Sequence, residues 1–167
     1  MSTWLTETEF RQSDALASGV TINVAFLREI KEDHLSIRQK TEQIDRHLKQ
    51  GLSPREALDC LSDYRDSLET YFALEEFYGY FQQAAVLNPS VSQKATSLQS
   101  EHEELFLKLN RIVDLTEQIV YHESGPETTL VQVAEELDSF CIDLDQHEQA
   151  EMDLMMRLCN EDIGDAG

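Results

Sequence analysis

Breakers are scarce in this chain: three prolines and six glycines among 167 residues leave too few turn points for a many-stranded β fold. Cysteine is sparse as well. Cys60, Cys141 and Cys159 are an odd set without Cys-x-x-Cys spacing, each in a helical pattern, which fits small buried thiols in a reducing compartment. No segment approaches the roughly 18 apolar residues that a membrane span needs. The start "MSTWLTETEF" lacks a charged region followed by an apolar run, so a cytoplasmic protein is expected. Basic residues are few, 13 against 33 acids, for a net charge of −20. They form no stripe, and a phosphate backbone would be repelled, which excludes nucleic acid and anionic membrane surfaces as natural partners. The acidity itself reads first as a solvated surface.

What is present is helix-forming material. Leu, Glu, Gln, Ala and Asp dominate, and the length suits one domain with a core of its own. The few breakers fall at regular intervals. Gly51 stops one helix; Ser53, Pro54 and Glu56 open the next as a cap, a first-turn proline and a capping box. "LNPSVSQ" repeats the device near Ser90 and Gln93, and "ESGPE" near Ser124 and Glu127. Four helices are expected, at roughly 20–50, 54–86, 91–122 and 127–159. Short connections between long helices predict an all-α, up-down-up-down antiparallel four-helix bundle spanning residues 19–160. An N-terminal arm, 1–18, precedes it and an acidic tail, 161–167, follows. Trp4, Leu5 and Phe10 suit the arm to packing over a bundle end or to contact with a protein partner or a second copy.

Apolar positions at steps of three and four give one inward seam per helix: Leu27 to Leu48, Leu58 to Tyr78, Val91 to Ile112 and Leu130 to Leu158. Each seam carries a histidine, a glutamate or both. His34 interrupts the first, Glu75 the second one turn after Tyr71, His102 the third, and His147 with Glu151 the fourth. A lone histidine on a seam is ordinarily a satisfied core residue. Carboxylates are different, because burying one unpaired costs several kcal/mol, and the seams offer no obvious Lys or Arg near Glu75 or Glu151.

Depth decides the matter. In an up-down bundle His34 and Tyr71 each lie about sixteen or seventeen residues from the same end. Glu75 and His102 each lie about eleven from the other end, and His102 and His147 about twenty from the loop that joins their helices. At about 1.5 Å per residue the interruptions converge on one layer. Independent core histidines have no reason to share a height, whereas a metal centre requires it. His47, beside its seam, and His122, at a helix end, read instead as surface or capping residues.

His147 with Glu151, and Tyr71 with Glu75, are spaced i, i+4, so each pair offers two donors from one face. Mixed imidazole and carboxylate donors suit iron, with manganese or zinc behind it. The ferritin-like type of bundle needs Glu-x-x-His, and the residues three before the histidines are Lys31, Ile44, Gln99, Ile119 and Leu144. None is glutamate.

Taken together, "REIKEDH", "YFALEE", "SEHEELF" and "LDQHEQAEMDLM" resemble, in order and across about residues 20–160, the hemerythrin-like, HHE cation-binding family. The resemblance implies a non-haem diiron site. His34, His102 and His147 stand at that family's histidine positions and would cap the irons; Glu75 and Glu151 would bridge them. Oxygen-carrying members have a second histidine on the third helix, where this chain has Phe106, a departure that argues against simple oxygen carriage. Tyr71 replaces the second-helix histidine. A phenol titrates near about 10, so ferric iron can drive the proton off and ferrous iron drives it poorly. Tyr71 either ligates as phenolate, hydrogen-bonds beside the site, or marks a mononuclear or degenerate centre. Five or six protein donors leave open positions on two irons. The expected function is binding or sensing of a small ligand such as O2, peroxide or NO, or of iron or redox state. Turnover of peroxide or NO is the enzyme alternative, and a helical interaction module with a decayed site the structural one.

Overall fold

The computed structural model describes residues 24–78, 89–122 and 129–164. The arm with Trp4, Leu5 and Phe10, the 79–86 end of the second helix, the Ser124–Glu127 cap and residues 165–167 lie outside them, as do the side chains of Leu27, Ile30, Tyr78 and Cys159. The described chain is four helices: α1 Val24–Lys49, α2 Pro54–Tyr78, α3 Pro89–Tyr121 and α4 Leu130–Gly164. It is all-α, and the helices pack as a bundle.

Local chemistry sets the helix ends. Gly51 ends α1 at φ 92°, and a Cβ there would meet nothing within 4 Å, so conformation rather than space calls for glycine. Gly51 N–H donates to the Leu48 carbonyl (3.4 Å) and Leu52 N–H to that of His47 (3.3 Å), the paired bonds that satisfy a helix's last carbonyls. The expected capping box opens α2: Ser53 N–H donates to Glu56 Oε2 at 3.0 Å and Glu56 N–H to Ser53 Oγ at 3.3 Å. α3 begins at Pro89, a residue earlier than Ser90. α4 begins at Leu130 with a box of its own, Thr129 N–H to Gln132 Oε1 at 2.8 Å and Gln132 N–H to Thr129 Oγ1 at 3.4 Å. It continues to Gly164, through residues 161–164 of the expected tail, because no glycine or proline intervenes.

α1 and α3 each pack against both α2 and α4, closing a ring around one core. Contacts pair rising numbers on one helix with falling numbers on its neighbour. On α1 and α2 these are His34 with Glu75 and Thr41 with Tyr64; on α2 and α3, Arg55 with Tyr121 and Glu75 with His102. The same reversal runs between α3 and α4, at Glu101–His147 and Lys108–Asp143, and between α1 and α4, at His34–Glu151 and Lys49–Asp138. Antiparallel neighbours give this pattern.

The core is the set of seams. Leu61, Leu68, Leu98, Leu109, Ile112 and Leu137 are sealed from solvent, each contributing roughly 1.5–3 kcal/mol through burial. Below the polar layer, Thr41 Oγ1 donates to the Ile37 carbonyl (2.8 Å) and accepts from the Tyr64 hydroxyl (2.5 Å), so this second buried polar pair is satisfied. Cys60 and Cys141 are free thiols, and burial pushes Cys141 up to about 12, away from reactive thiolate. Among the described residues no helix is long and apolar enough to cross a membrane.

Candidate metal centre

All six residues singled out by the seams are buried: His34, Tyr71, Glu75, His102, His147 and Glu151. Glu75, His102, His147 and Glu151 each offer a ligand atom within 4.8 Å of the others. A buried cluster of this kind can hold a metal ion. His34 approaches the same two carboxylates from α1, with Nε2 3.4 Å from Glu75 and 3.2 Å from Glu151. Tyr71 lies beside it, ring centroids 5.8 Å apart and edge-on. Its hydroxyl is buried without a hydrogen bond. His47 is half-buried in the last turn of α1 and His122 is exposed just past α3; neither joins the cluster.

The spacing of the donors separates two explanations. A cluster satisfied by its own hydrogen bonds would show charge-assisted N–H···O distances of about 2.7–2.9 Å. Donors held about 2.1 Å from a shared ion, at angles of 90–110°, stand about 3.0–3.4 Å from one another. The imidazole Nε2 to carboxylate distances are 3.4 and 3.2 Å from His34, 3.2 and 3.3 Å from His102, and 3.1 Å from His147 to Glu151. Both Glu75 oxygens and His147 Nε2 lack a hydrogen bond altogether. Glu151 is hydrogen-bonded to His34 at 3.2 Å and to His102 at 3.3 Å, and the longer spacing of the set as a whole leaves room for a cation that these groups could hold.

The carboxylates also divide their oxygens. Glu75 turns Oε1 to His34 and Oε2 to His102; Glu151 turns Oε2 to His34 and Oε1 to His102 and His147. One imidazole therefore lies on one side of the carboxylate pair and two lie on the other.

Further hydrogen bonds occur on the far side of the rings. His102 Nδ1–H donates to Glu76 Oε1 at 3.0 Å and His147 Nδ1–H to Glu101 Oε2 at 2.9 Å. Each fixes the tautomer that turns an Nε2 lone pair toward the cluster, as outer carboxylates do for metal-bound histidines. Phe72 stacks flat on His102, centroids 4.1 Å apart and 9° from parallel, and holds that ring in place. Neither Glu76 nor Glu101 lies on a seam. Their signal is adjacency, since Glu76 follows Glu75 and Glu101 precedes His102, placing each to reach the ring on a neighbouring helix. A third carboxylate missed by the seams, Glu148, is buried next to His147.

The charges of the cluster are strongly interdependent. Burial alone would lower the histidines, but the contacts of His34 with Glu151 and Glu75 raise it to about 9, and those of His102 with Glu151, Glu75 and Glu76 raise it to about 10. His147 rises for the same reason, chiefly through Glu151. Burial would raise Glu151, yet the three imidazoles hold it well below the ordinary carboxylate range. Burial raises Glu148 to about 7 against the pull of His34 and Arg38. Without a cation, protons on the imidazoles balance the buried carboxylates.

A pH dependence follows for the metal-free protein. The raised histidines contribute stability that is fully present below their ordinary 6.5 and lost as pH rises through about 9 and 10. The lowered Glu151 contributes above its ordinary 4.5 and loses it on acidification. Thermal unfolding in chelator is expected to show a clear fall in Tm from pH 6.5 to pH 9.5. Equal midpoints at the two pH values would mean that the imidazoles do not carry charge in the folded state.

A surface depression between α3 and α4 around Arg111 and Glu136 contains none of these groups. Comparison with protein-family models, curated proteins and solved structures gives no match to the chain.

Proposed function

We propose that this chain is a cytoplasmic, non-haem diiron-binding protein of the hemerythrin-like kind, which binds or senses O2, peroxide, NO, or iron and redox state. The observation that carries this reading is the division of the carboxylate oxygens. Glu75 and Glu151 each present one oxygen to His34 and the other to the His102 side, the arrangement two bridging carboxylates need for two ions. Imidazole and carboxylate donors without thiolate suit iron ahead of manganese or zinc. Bound iron would supply redox change and open positions for a small ligand.

The chain's own residues supply the rest. His34 on one side and His102 with His147 on the other would cap the ions, and Glu76 and Glu101 orient the last two rings. A groove of about 530 Å³ between α2 and α3 runs past Phe72, His102 and Phe106. Phe106, where oxygen-carrying hemerythrins have a histidine, lines that groove with His102, and a small ligand entering there would serve binding or, as the second reading, turnover of peroxide or NO.

Tyr71 is proposed as a phenolate ligand on the His34 side. Burial first, and the charges of Glu75 and Glu151 after it, push its ionisation far above the ordinary phenol range, so only a strongly acidic cation such as ferric iron would displace its proton. Elemental analysis with an absorption spectrum of the iron-loaded, air-oxidised protein tests the reading. About two irons per chain are expected, with a visible phenolate-to-iron band that Tyr71→Phe abolishes. A band unchanged in that variant would remove Tyr71 from the ligand set, and absence of iron after loading would leave the interaction-module alternative. Adding excess peroxide or NO then separates stoichiometric binding from turnover.

A further inference from the structure

The His34 side of the centre is short of donors. Two imidazoles serve the other side, whereas among the described residues Nε2 of His34 meets one oxygen each of Glu75 and Glu151. Among those residues one further carboxylate is buried and unused. Glu148 is 3% exposed, and neither of its oxygens makes a hydrogen bond.

Helix geometry places Glu148 on this side. Successive residues turn by about 100°, so His147 and Glu148 flank Glu151, about 40° to one side and about 60° to the other. His147 faces α3, where its Nδ1–H reaches Glu101. Glu148 faces α1, where Oε2 lies 3.6 Å from Arg38, one turn beyond His34. Arg38 does not account for its burial. The guanidinium side chain is half exposed and lies closer to Asp145, at 3.2 Å, and one long contact with a solvated cation compensates poorly for two desolvated oxygens.

We propose that Glu148 is a third carboxylate ligand of the centre, terminal on the His34-side ion. This rests on the dinuclear reading above. Together with His34 and one oxygen each from Glu75 and Glu151, it would bring that position to four protein donors around a divalent ion, with Tyr71 a fifth once ferric iron displaces its proton, all hard oxygen or imidazole as iron prefers. It also adds a third negative charge beside two divalent cations, where two bridging carboxylates alone would leave half of their charge uncompensated.

The test is anaerobic titration of the full chain with Fe(II), and with Co(II) as a visible reporter of coordination, read as ions bound per chain. The unaltered chain should bind two. Glu148→Gln should keep the ion on the His102 and His147 side and bind the second at least about 100-fold more weakly, beyond the 10–100-fold that outer residues cost. Glu148→Met, similar in volume and uncharged, should do the same, and gives the answer if the glutamine variant folds poorly. Arg38→Gln should keep both ions. Two ions at unaltered affinity in both Glu148 variants would overturn the proposal while leaving the dinuclear centre standing; so would loss of the second ion in Arg38→Gln to the same degree, which would make Glu148 a partner of Arg38. An unaltered chain that binds fewer than two ions would remove the dinuclear reading itself.

Discussion

Glu151→Gln is expected to strip both ions from the protein. Glu151 is fully sealed from solvent and, among the described residues, is the carboxylate within ion-pair range of all three cluster histidines, at 3.2, 3.3 and 3.1 Å. Its oxygens serve both sides of the carboxylate pair, so no single position survives its loss. An amide keeps the shape, replaces one acceptor oxygen with a donor and removes the charge that balances the cations. Affinity for each ion should fall by more than the 10–100-fold expected of an outer residue, and iron per chain, measured after loading and desalting, should drop from about two to near zero. Glu75→Gln should behave alike. His122→Ala, at an exposed position, should change nothing. Unchanged stoichiometry in Glu151→Gln would refute its bridging role.

Loading the protein with metal should raise its melting temperature by roughly 15–30 °C. An ion present at about 1,000 times its dissociation constant stabilises the native state by about 4 kcal/mol, and two ions by about twice that. In a domain of this size each kcal/mol moves the midpoint by about 2–4 °C. The effect is large because the metal-free protein buries carboxylates whose oxygens, both of Glu75 and both of Glu148, make no hydrogen bond and have only long ion-pair contacts. Calorimetry with iron and with excess chelator measures it directly. Coincident midpoints would mean that no ion binds the native fold in preference to the unfolded chain.

The fold was legible because its determinants are local. Every described seam position in α2 and α3, from Leu58 to Glu75 and from Val91 to Ile112, is buried once Tyr64 is taken in preference to Arg65, since the period of three and four is a property of the helix itself. Gly51 and the Ser53 to Glu56 box act within one turn. The start of α4 was harder to read, because "ESGPE" and "TTLVQ" both carry capping chemistry and a linear sequence does not rank them. The described helix uses Thr129 and Gln132.

The burial of the six seam residues was legible for the same reason, and shared depth brings Glu75, His102, His147 and Glu151 into one buried cluster that His34 approaches. The burial of Glu148 was not, because the residue after a seam position normally points well away from the core. α4 is wedged between α1 and α3, and the arc it buries is wide enough to take His147, Glu148 and Glu151 together. Glu76 and Glu101 escaped because they read as solvated acids among 33, and their role exists only across helices. The resemblance to hemerythrin-like proteins rests on those same ligand positions and therefore stands or falls with the metal.

Anomalous scattering from an iron-loaded crystal, collected on both sides of the iron absorption edge, tests the central claim most directly. Two iron peaks are expected between Glu75 and Glu151, one against His34 and one against His102 and His147. No peak at that layer after loading, with the same side chains bonded only to one another and to water, would contradict it.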